Sequence, residues 1–565
     1  MAQQGGEGEE LTQSDVRGDA LAVDDTSSHA GRGRETADDR GEGGDGAGEG
    51  GAGDGGSKGD RRRRRRRVLR WSATVLAVVI LGTAGAGYLY YQHLNDNIHK
   101  GRRSTGDSKA ERAKPNAAGQ TPLNILLIGS DSRNSDENVK LGGSRANRGN
   151  PPLGDVQMLI HLSADRKSAA MVSIPRDTRV DIPKCTDPES GKTYPATNTI
   201  INESLARGGA GCTLSTWENL TGVYIDHWMT IDFAGVVDMA DAIGGVDVCV
   251  NQNVWDRPTA SVPGGSGLKL RAGTQKVVGK QALQWLRTRH AWGSDLMRAR
   301  AQHMYLNSMI RTLKAQNVFT DTPRLTGLAE AATRSLQVSE EIGTVKKLYD
   351  LAMELKSVPT DRITMTTMPN VKDPLDANHV VPDGANAEKM WQMLRDDVSF
   401  DKNGTDDAKE ADATKTAQPE RSQAPTTAPD RLGVLVSNAT RTSTEAPVPG
   451  RANTIARALG RQGYTRAQAD RTAGLSEDRT VVRYPSADLK GDAEAVARSL
   501  GIPLASVKQS TDVSGVTVAV GADWRTGTAY PKQSPPKAGD LPSNADALNG
   551  ADEGQCMDVY KPYQW

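Results

Sequence analysis

Neither sign of charge is in excess in this 565-residue sequence, where Lys and Arg together number 70 and Asp and Glu likewise 70. A balanced total excludes recognition of a partner by net charge, so any electrostatic role must come from how the charges are segregated. Cysteine is scarce. The four residues Cys185, Cys212, Cys249 and Cys556 show no zinc or redox spacing, which excludes a sequence-evident metal finger or dithiol motif. Large apolar side chains are almost missing from residues 1–60, a Gly-, Asp- and Glu-rich stretch. Such a stretch cannot bury enough surface to offset its ordering entropy and is expected to be disordered. Long uncharged apolar runs are absent as well, with one exception.

The exception is Trp71–Tyr91, which carries no charge and has aromatics at both ends. A helix of that length spans about 30 Å, the hydrocarbon thickness of a bilayer. The basic run Arg61–Arg67 precedes it and by the positive-inside rule holds residues 1–67 in the cytoplasm, with everything after Tyr91 outside. Topology thus accounts for the arginines, and no nucleic acid is expected as a partner. The organisation expected is a disordered arm over 1–67, a single-pass transmembrane helix over 68–91 in the plasma membrane and a polar stalk over 92–120. An extracellular α/β domain over 121–400 follows, its central mixed sheet flanked by helices, then a linker over 401–430. A smaller α/β domain over 431–526 and a disordered Pro-, Gly- and Asp-rich tail over 527–565 complete the chain. In the oxidising space outside the membrane, Cys185 and Cys212, flanking one expected helix, are expected to form a disulfide. Cys249 lies in Val246–Val250 and reads as a small buried hydrophobe; Cys556 has no assignment.

Chemistry concentrates between Asn124 and Val180. Asn124–Ile128 is an apolar run of strand length that ends in Gly129 and is followed by Asp131 and Arg133; Asp155–Leu162 is a second strand with an acid at its mouth. Ala169–Ile174 is a third, leading into Pro175, Arg176 and Asp177. Carboxylates at strand ends suit Mg²⁺, which takes one or two of them and completes its shell with water and phosphate oxygens. Arginine forks match phosphate. The same residues would equally serve as loop caps and surface ion pairs. Further on, Trp285–His290 reads as a strand that puts Arg287 and Arg289 on one face. Asp295, Arg298 and Gln302 follow at helical spacings of three and four, which stacks them on one side; a solvated helix face has the same pattern.

The ordered blocks Ile128–Arg133, Asp155–Leu159, Ser173–Asp177, Ile201–Glu203 with Gly208-Gly209, Ile243–Val246, Arg287–His290 and Asp295–Arg298 with Gln302 resemble the LytR-CpsA-Psr family of cell-wall ligases. Residues 431–524 look like the accessory C-terminal domain found in actinobacterial members. The resemblance implies an enzyme that takes a glycopolymer from a polyprenyl-pyrophosphate carrier and joins it to peptidoglycan by a phosphodiester. It implies Mg²⁺ on Asp131 and Asp155, and phosphates surrounded by Arg133, Arg176, Asp177, Arg287, Arg289, Arg298 and Gln302. A hydrophobic tunnel between sheet and helices would take the lipid. The chain departs from the family pattern at Leu153-Gly154, Ile200 and Ala301, where relatives commonly carry further phosphate donors. Two alternatives use the same residues: a pyrophosphatase with water as nucleophile, and a non-catalytic polyprenyl-lipid-binding regulator of the envelope.

Overall fold

A computed structural model describes residues 58–565 apart from 117, 133–135, 143–148, 261, 316–321, 405–423, 443–444, 472–475, 478 and 532–535. Most of the expected arm, residues 1–57, and most of the expected linker lie outside the described residues, as does Arg133. The chain divides into two compact units at Ile80/Leu81. Helix α1 (Lys58–Asn97) takes in the arginine run that had been assigned to the disordered arm. Over Arg63–Asn97 it is long and apolar enough to cross a membrane.

In the second unit the core is an eight-stranded mixed sheet. Its strands are β1 (His99–Gly101), β2 (Leu123–Ser130), β3 (Gly154–Leu162), β4 (Ala169–Ser173), β5 (His227–Ile231), β6 (Leu336–Ser339), β7 (Ile363–Thr367) and β8 (Leu548–Asn549). Their order in space is β1-β6-β5-β2-β3-β4-β7-β8. The central strands read as unbroken apolar runs because both faces are covered. Leu126, Ile128 and Leu159 pack under helix α2 (Ser204–Thr221) with Leu214 and Trp217. Their alternating neighbours Ile125, Ile160 and Leu162 pack with Met365 and Ile310 on the opposite face. Trp217 finds a partner for its indole inside this core, donating to Gln157 Oε1 at 2.7 Å. Residues 199–207, which read as helical in sequence, run from the end of a β-strand (Thr197–Ile200) through a 3₁₀ turn into the start of α2, which kinks at Gly208-Gly209. Gly209 has φ +68°, and a Cβ on Gly208 would press on Cys185, Cys212 and Thr105 within about 3 Å.

Cys185 and Cys212 are joined by a disulfide. Cys249 is not a free buried thiol; it is bonded to Cys556, 307 residues away. That bond belongs to a larger correction. The segment expected as a disordered tail supplies edge strand β8, antiparallel to β7, and buries Leu548, Met557, Val559 and Tyr563. Its composition is poor in apolar residues, yet those few are held by a covalent link and main-chain pairing. Likewise the stretch expected as a stalk lies on the domain. β1 pairs with β6, Arg103 pairs with Glu218, and Arg112 reaches Asp226 at 2.5 Å. Both carboxylates are buried, and burial without a cation would be costly, so polar composition here marks docking.

The smaller domain is a five-stranded sheet ordered Ala467–Ala469, Val434–Asn438, Val516–Val520, Val481–Tyr484, Val507–Gln509. Helices Arg451–Arg461 and Lys490–Leu500 close its core of Val434, Ile455, Leu459, Val496 and Val518. Glu388 of the larger domain is shared by Arg395 and by Arg479 of the smaller one.

Candidate active site

Antiparallel and parallel pairing together bring the polar ends of four strands to one edge. β2 ends at Ser130 opposite Gly154, where β3 begins; β4 runs antiparallel to β3 and ends at Ser173; β5 runs parallel to β2 and ends at Ile231. Asp131, Asp155 and Arg176 therefore emerge side by side. Asp232, following β5, caps helix α3 (Phe233–Ala242) by accepting from the Gly235 amide at 2.9 Å, which sets Phe233 at the same edge.

Helices complete the enclosure. Helix α4 (Gly279–Arg287) ends in Arg287, so this residue is helical and not in the strand expected; Arg289 stands in the loop beyond it. The reason is local: Thr288 caps the helix, donating its hydroxyl to Gln284 O at 2.7 Å, and Ala282 and Trp285 are buried at the helical spacing of three. Arg287 lies 4.7 Å over the Phe233 ring and donates to Leu141 O at 3.2 Å. Helix α5 (Asp295–Ala315) presents Asp295, Arg298 and Gln302. Gln302 uses its amide nitrogen on Leu286 O at 3.0 Å, which fastens α5 to the end of α4.

The result is a cavity of about 300 Å³. Its lining combines Asp155, Arg176, Arg287, Arg289, Arg298 and Gln302 with the apolar Val156, Ile231, Phe233, Val236, Leu283 and Leu286. Sequence reading missed Phe233 and Val236; the Asp232 cap after an apolar strand is the signal that would have found them. Asp131 is not among the lining residues: its carboxylate accepts from the Leu153 amide at 2.7 Å and braces the turn beside Asp155. Asp177 lies on an outer cleft of about 460 Å³ with Arg176, Arg289, His290, Asp295, Asn378 and His379. Arg176 and Arg289 line both spaces. Ala301 points away into the core, fully buried.

Electrostatically the site is a cluster of arginines tied together by aspartates. Arg176 sits 3.0 Å from Asp155, 3.4 Å from Asp177 and 4.0 Å from Asp295. Asp295 also meets Arg298 at 3.1 Å and Arg289 at 3.7 Å. Burial alone would push the Arg176 guanidinium down, but the three carboxylates outweigh it and its pKa is raised. For Arg298 burial dominates and its pKa is lowered, with Asp295 opposing and Arg176 adding to the fall. A guanidinium held charged against burial favours an anion beside it. Arg176 Nε is moreover buried without a hydrogen-bond partner, a donor of the kind that calls for an acceptor.

No group of three or more His, Cys, Asp or Glu side chains forms a metal cage among the described residues. The donor set fits the sparser arrangement of Mg²⁺, one or two carboxylates with phosphate and water, with Asp155, Asp232 and Asp256 on the cavity wall and Asp131 following the strand end beside Asp155.

The LytR-CpsA-Psr family model (LytR_cpsA_psr) matches residues 88–396. The chain belongs to the LytR-CpsA-Psr family. A second model, the LytR cell envelope-related transcriptional attenuator, matches residues 431–524 of this LytR-CpsA-Psr protein. The chain is 27% identical over 512 residues to the cell wall biosynthesis protein LcpA of Corynebacterium glutamicum, covering 86% of this chain and 91% of the relative. It is 25% identical over 341 residues to the polyisoprenyl-teichoic acid–peptidoglycan teichoic acid transferase TagV of Bacillus subtilis, covering 59% and 78%. Among solved structures it is similar to the LytR-Csp2A-Psr enzyme from Actinomyces oris, at 15% identity and a TM-score of 0.38 over 53% of this chain and 96% of the other.

Proposed function

We propose that this protein is a phosphotransferase that moves a glycopolymer from a polyprenyl-pyrophosphate carrier to peptidoglycan, leaving a phosphodiester link. The observation that carries the reading is the mixed lining of the cavity, in which Arg176, Arg287, Arg289 and Arg298 share one enclosure with Phe233 and its apolar neighbours. A pyrophosphate joined to a lipid has the same two characters. The names of the relatives, a teichoic acid transferase and a cell wall biosynthesis protein, support the same class of reaction. The arginine run at the N-terminal end of the membrane-length helix supports an arm on the cytoplasmic side and the site outside.

In the proposed reaction the arginines hold the pyrophosphate and take up charge as it shifts to the leaving lipid phosphate. A sugar hydroxyl of the acceptor enters through the outer cleft and attacks the phosphorus that carries the glycan. The new O–P bond forms as the bridging P–O bond to the polyprenyl phosphate breaks. Asp177, the carboxylate on the outer side, takes the hydroxyl proton. Asp155, with Asp131 at its side, would hold a Mg²⁺ ion, which would supply further neutralisation of the pyrophosphate charge. The apolar wall keeps water from competing with the acceptor.

The test is to incubate the detergent-solubilised full chain with radiolabelled polyprenyl-pyrophosphate glycan, Mg²⁺ and peptidoglycan fragments, beside Asp155→Ala. Label should pass to the acceptor with the wild type and fail to do so with the variant. Release of free glycan phosphate, with or without acceptor, would replace the transferase reading by a pyrophosphatase.

A further inference from the structure

We propose that residues 556–565 build a glycan-binding wall beside the arginine cleft, on which pyranose rings of the acceptor stack. This deepens the transferase reading and rests on it for the identity of the ligand.

The segment is fixed at several points. Cys556 is bonded to Cys249, the Met557 amide donates to Cys249 O at 2.9 Å, and the Tyr560 amide donates to Ala291 O at 2.8 Å. Tyr563 is buried and stacked on His290, with ring centroids 6.3 Å apart. The Trp565 indole donates to Val254 O at 3.0 Å. Ten residues so firmly held nevertheless leave large rings in water: Tyr560 is 57% exposed, Trp565 48% and the neighbouring Trp255 39%. Aromatic surface that is rigid and uncovered loses little entropy when a ligand covers it.

Its position ties it to the site. Tyr560 stands against Gly293, where an added Cβ would lie 3.9 Å from the Tyr560 Cβ. Gly293 and His290 line the outer cleft with Arg289 and Asp295. The wall thus begins where the acceptor hydroxyl has to enter.

The chemistry of the patch selects the occupant. A lipid or a protein core would call for a contiguous apolar area. Here the rings alternate with polar groups: Lys269 lies 4.6 Å from both the Trp255 and Trp565 rings, and Asn253 donates to the Trp565 main-chain oxygen at 3.0 Å. A pyranose has the matching alternation, with apolar C–H faces to cover a ring and hydroxyls at its rim to meet lysine and amide groups.

The experiment measures binding of soluble, uncrosslinked peptidoglycan strands to the full chain in detergent by calorimetry, with inorganic pyrophosphate as a second, separate probe. Tyr560→Ala/Trp565→Ala is expected to weaken strand binding by ~10-fold, the scale of losing aromatic anchors, while pyrophosphate binding stays unchanged and so reports an intact cleft. Tyr560→Phe/Trp565→Phe, which keeps the rings, should restore strand affinity. Equal affinity in the alanine variant, or a wild type that binds no strands, overturns the wall. Strand binding of the expected pattern without polymer transfer would instead remove the transferase reading and leave the wall standing.

Discussion

Arg176 is the residue on which most of the site's charges meet. It contacts Asp155, Asp177 and Asp295, and its buried Nε, 3.4 Å from Asp177, makes no aligned hydrogen bond there. Three acids around one base leave it oriented but do not spend every donor. Replacing it removes a positioned charge from the place where negative charge moves during transfer. Arg176→Ala should lower kcat for polymer transfer by ~100-fold, in the range seen when one preorganised electrostatic group is lost, and a kcat within a few-fold of wild type would remove Arg176 from the reaction. Asp295 is the counterpart: it joins Arg176, Arg289 and Arg298, holding like charges together in the absence of substrate.

Helix α5 links those charges to the core, because the face behind Arg298 and Gln302 carries His303. Its ring is buried and its pKa is pushed down to about 4, chiefly by desolvation, with Asp546 opposing and Arg300 reinforcing the fall. An unfolded histidine titrates near ~6.5. Between these values the unfolded chain binds the extra proton and the folded one does not, so stability is full above ~6.5 and declines as pH falls toward 4. His303→Phe should flatten that slope; urea midpoints at pH 5 and pH 7.5 compare the two proteins, and an unchanged slope would assign the dependence elsewhere. At this scale much was legible in the sequence. β2, β3 and β4 follow from apolar runs, and the spacing of Asp295, Arg298 and Gln302 gave their shared face on α5. The geometry of Arg287 and Arg289 was not, since Trp285–His290 alternates like a strand while the Thr288 cap and the buried pair Ala282 and Trp285 decide for helix. The convergence of these arginines with Arg176 came from resemblance, because contacts across more than a hundred residues leave no local periodicity.

Over the whole molecule, the segments that composition marks as loose are the ones that bind its parts together. Residues 99–112 lie on the sheet edge, on α2 through Arg103 and on the turn before β5 through Arg112, and the segment from β8 onward crosses back from the smaller domain to the cavity rim. Neither was legible, because a polar stretch that satisfies buried acids and one that dangles in water read alike. Two disulfides cross-link the second unit. The bond between Cys185 and Cys212 closes a short loop, with a sequence separation of 27, whereas that between Cys249 and Cys556 spans 307. Loop-closure entropy in the unfolded chain gives about 3–4 kcal/mol for the first and about 5–6 kcal/mol for the second. Cys249→Ser/Cys556→Ser should therefore lower Tm at least as much as Cys185→Ser/Cys212→Ser. It should also expose the segment after Gly539 to limited proteolysis while the sheet core resists. If the segment stayed protected in the double variant, the pairing of β8 with β7 and the burial of Tyr563 would be sufficient to hold it, and the disulfide would act on the unfolded chain alone.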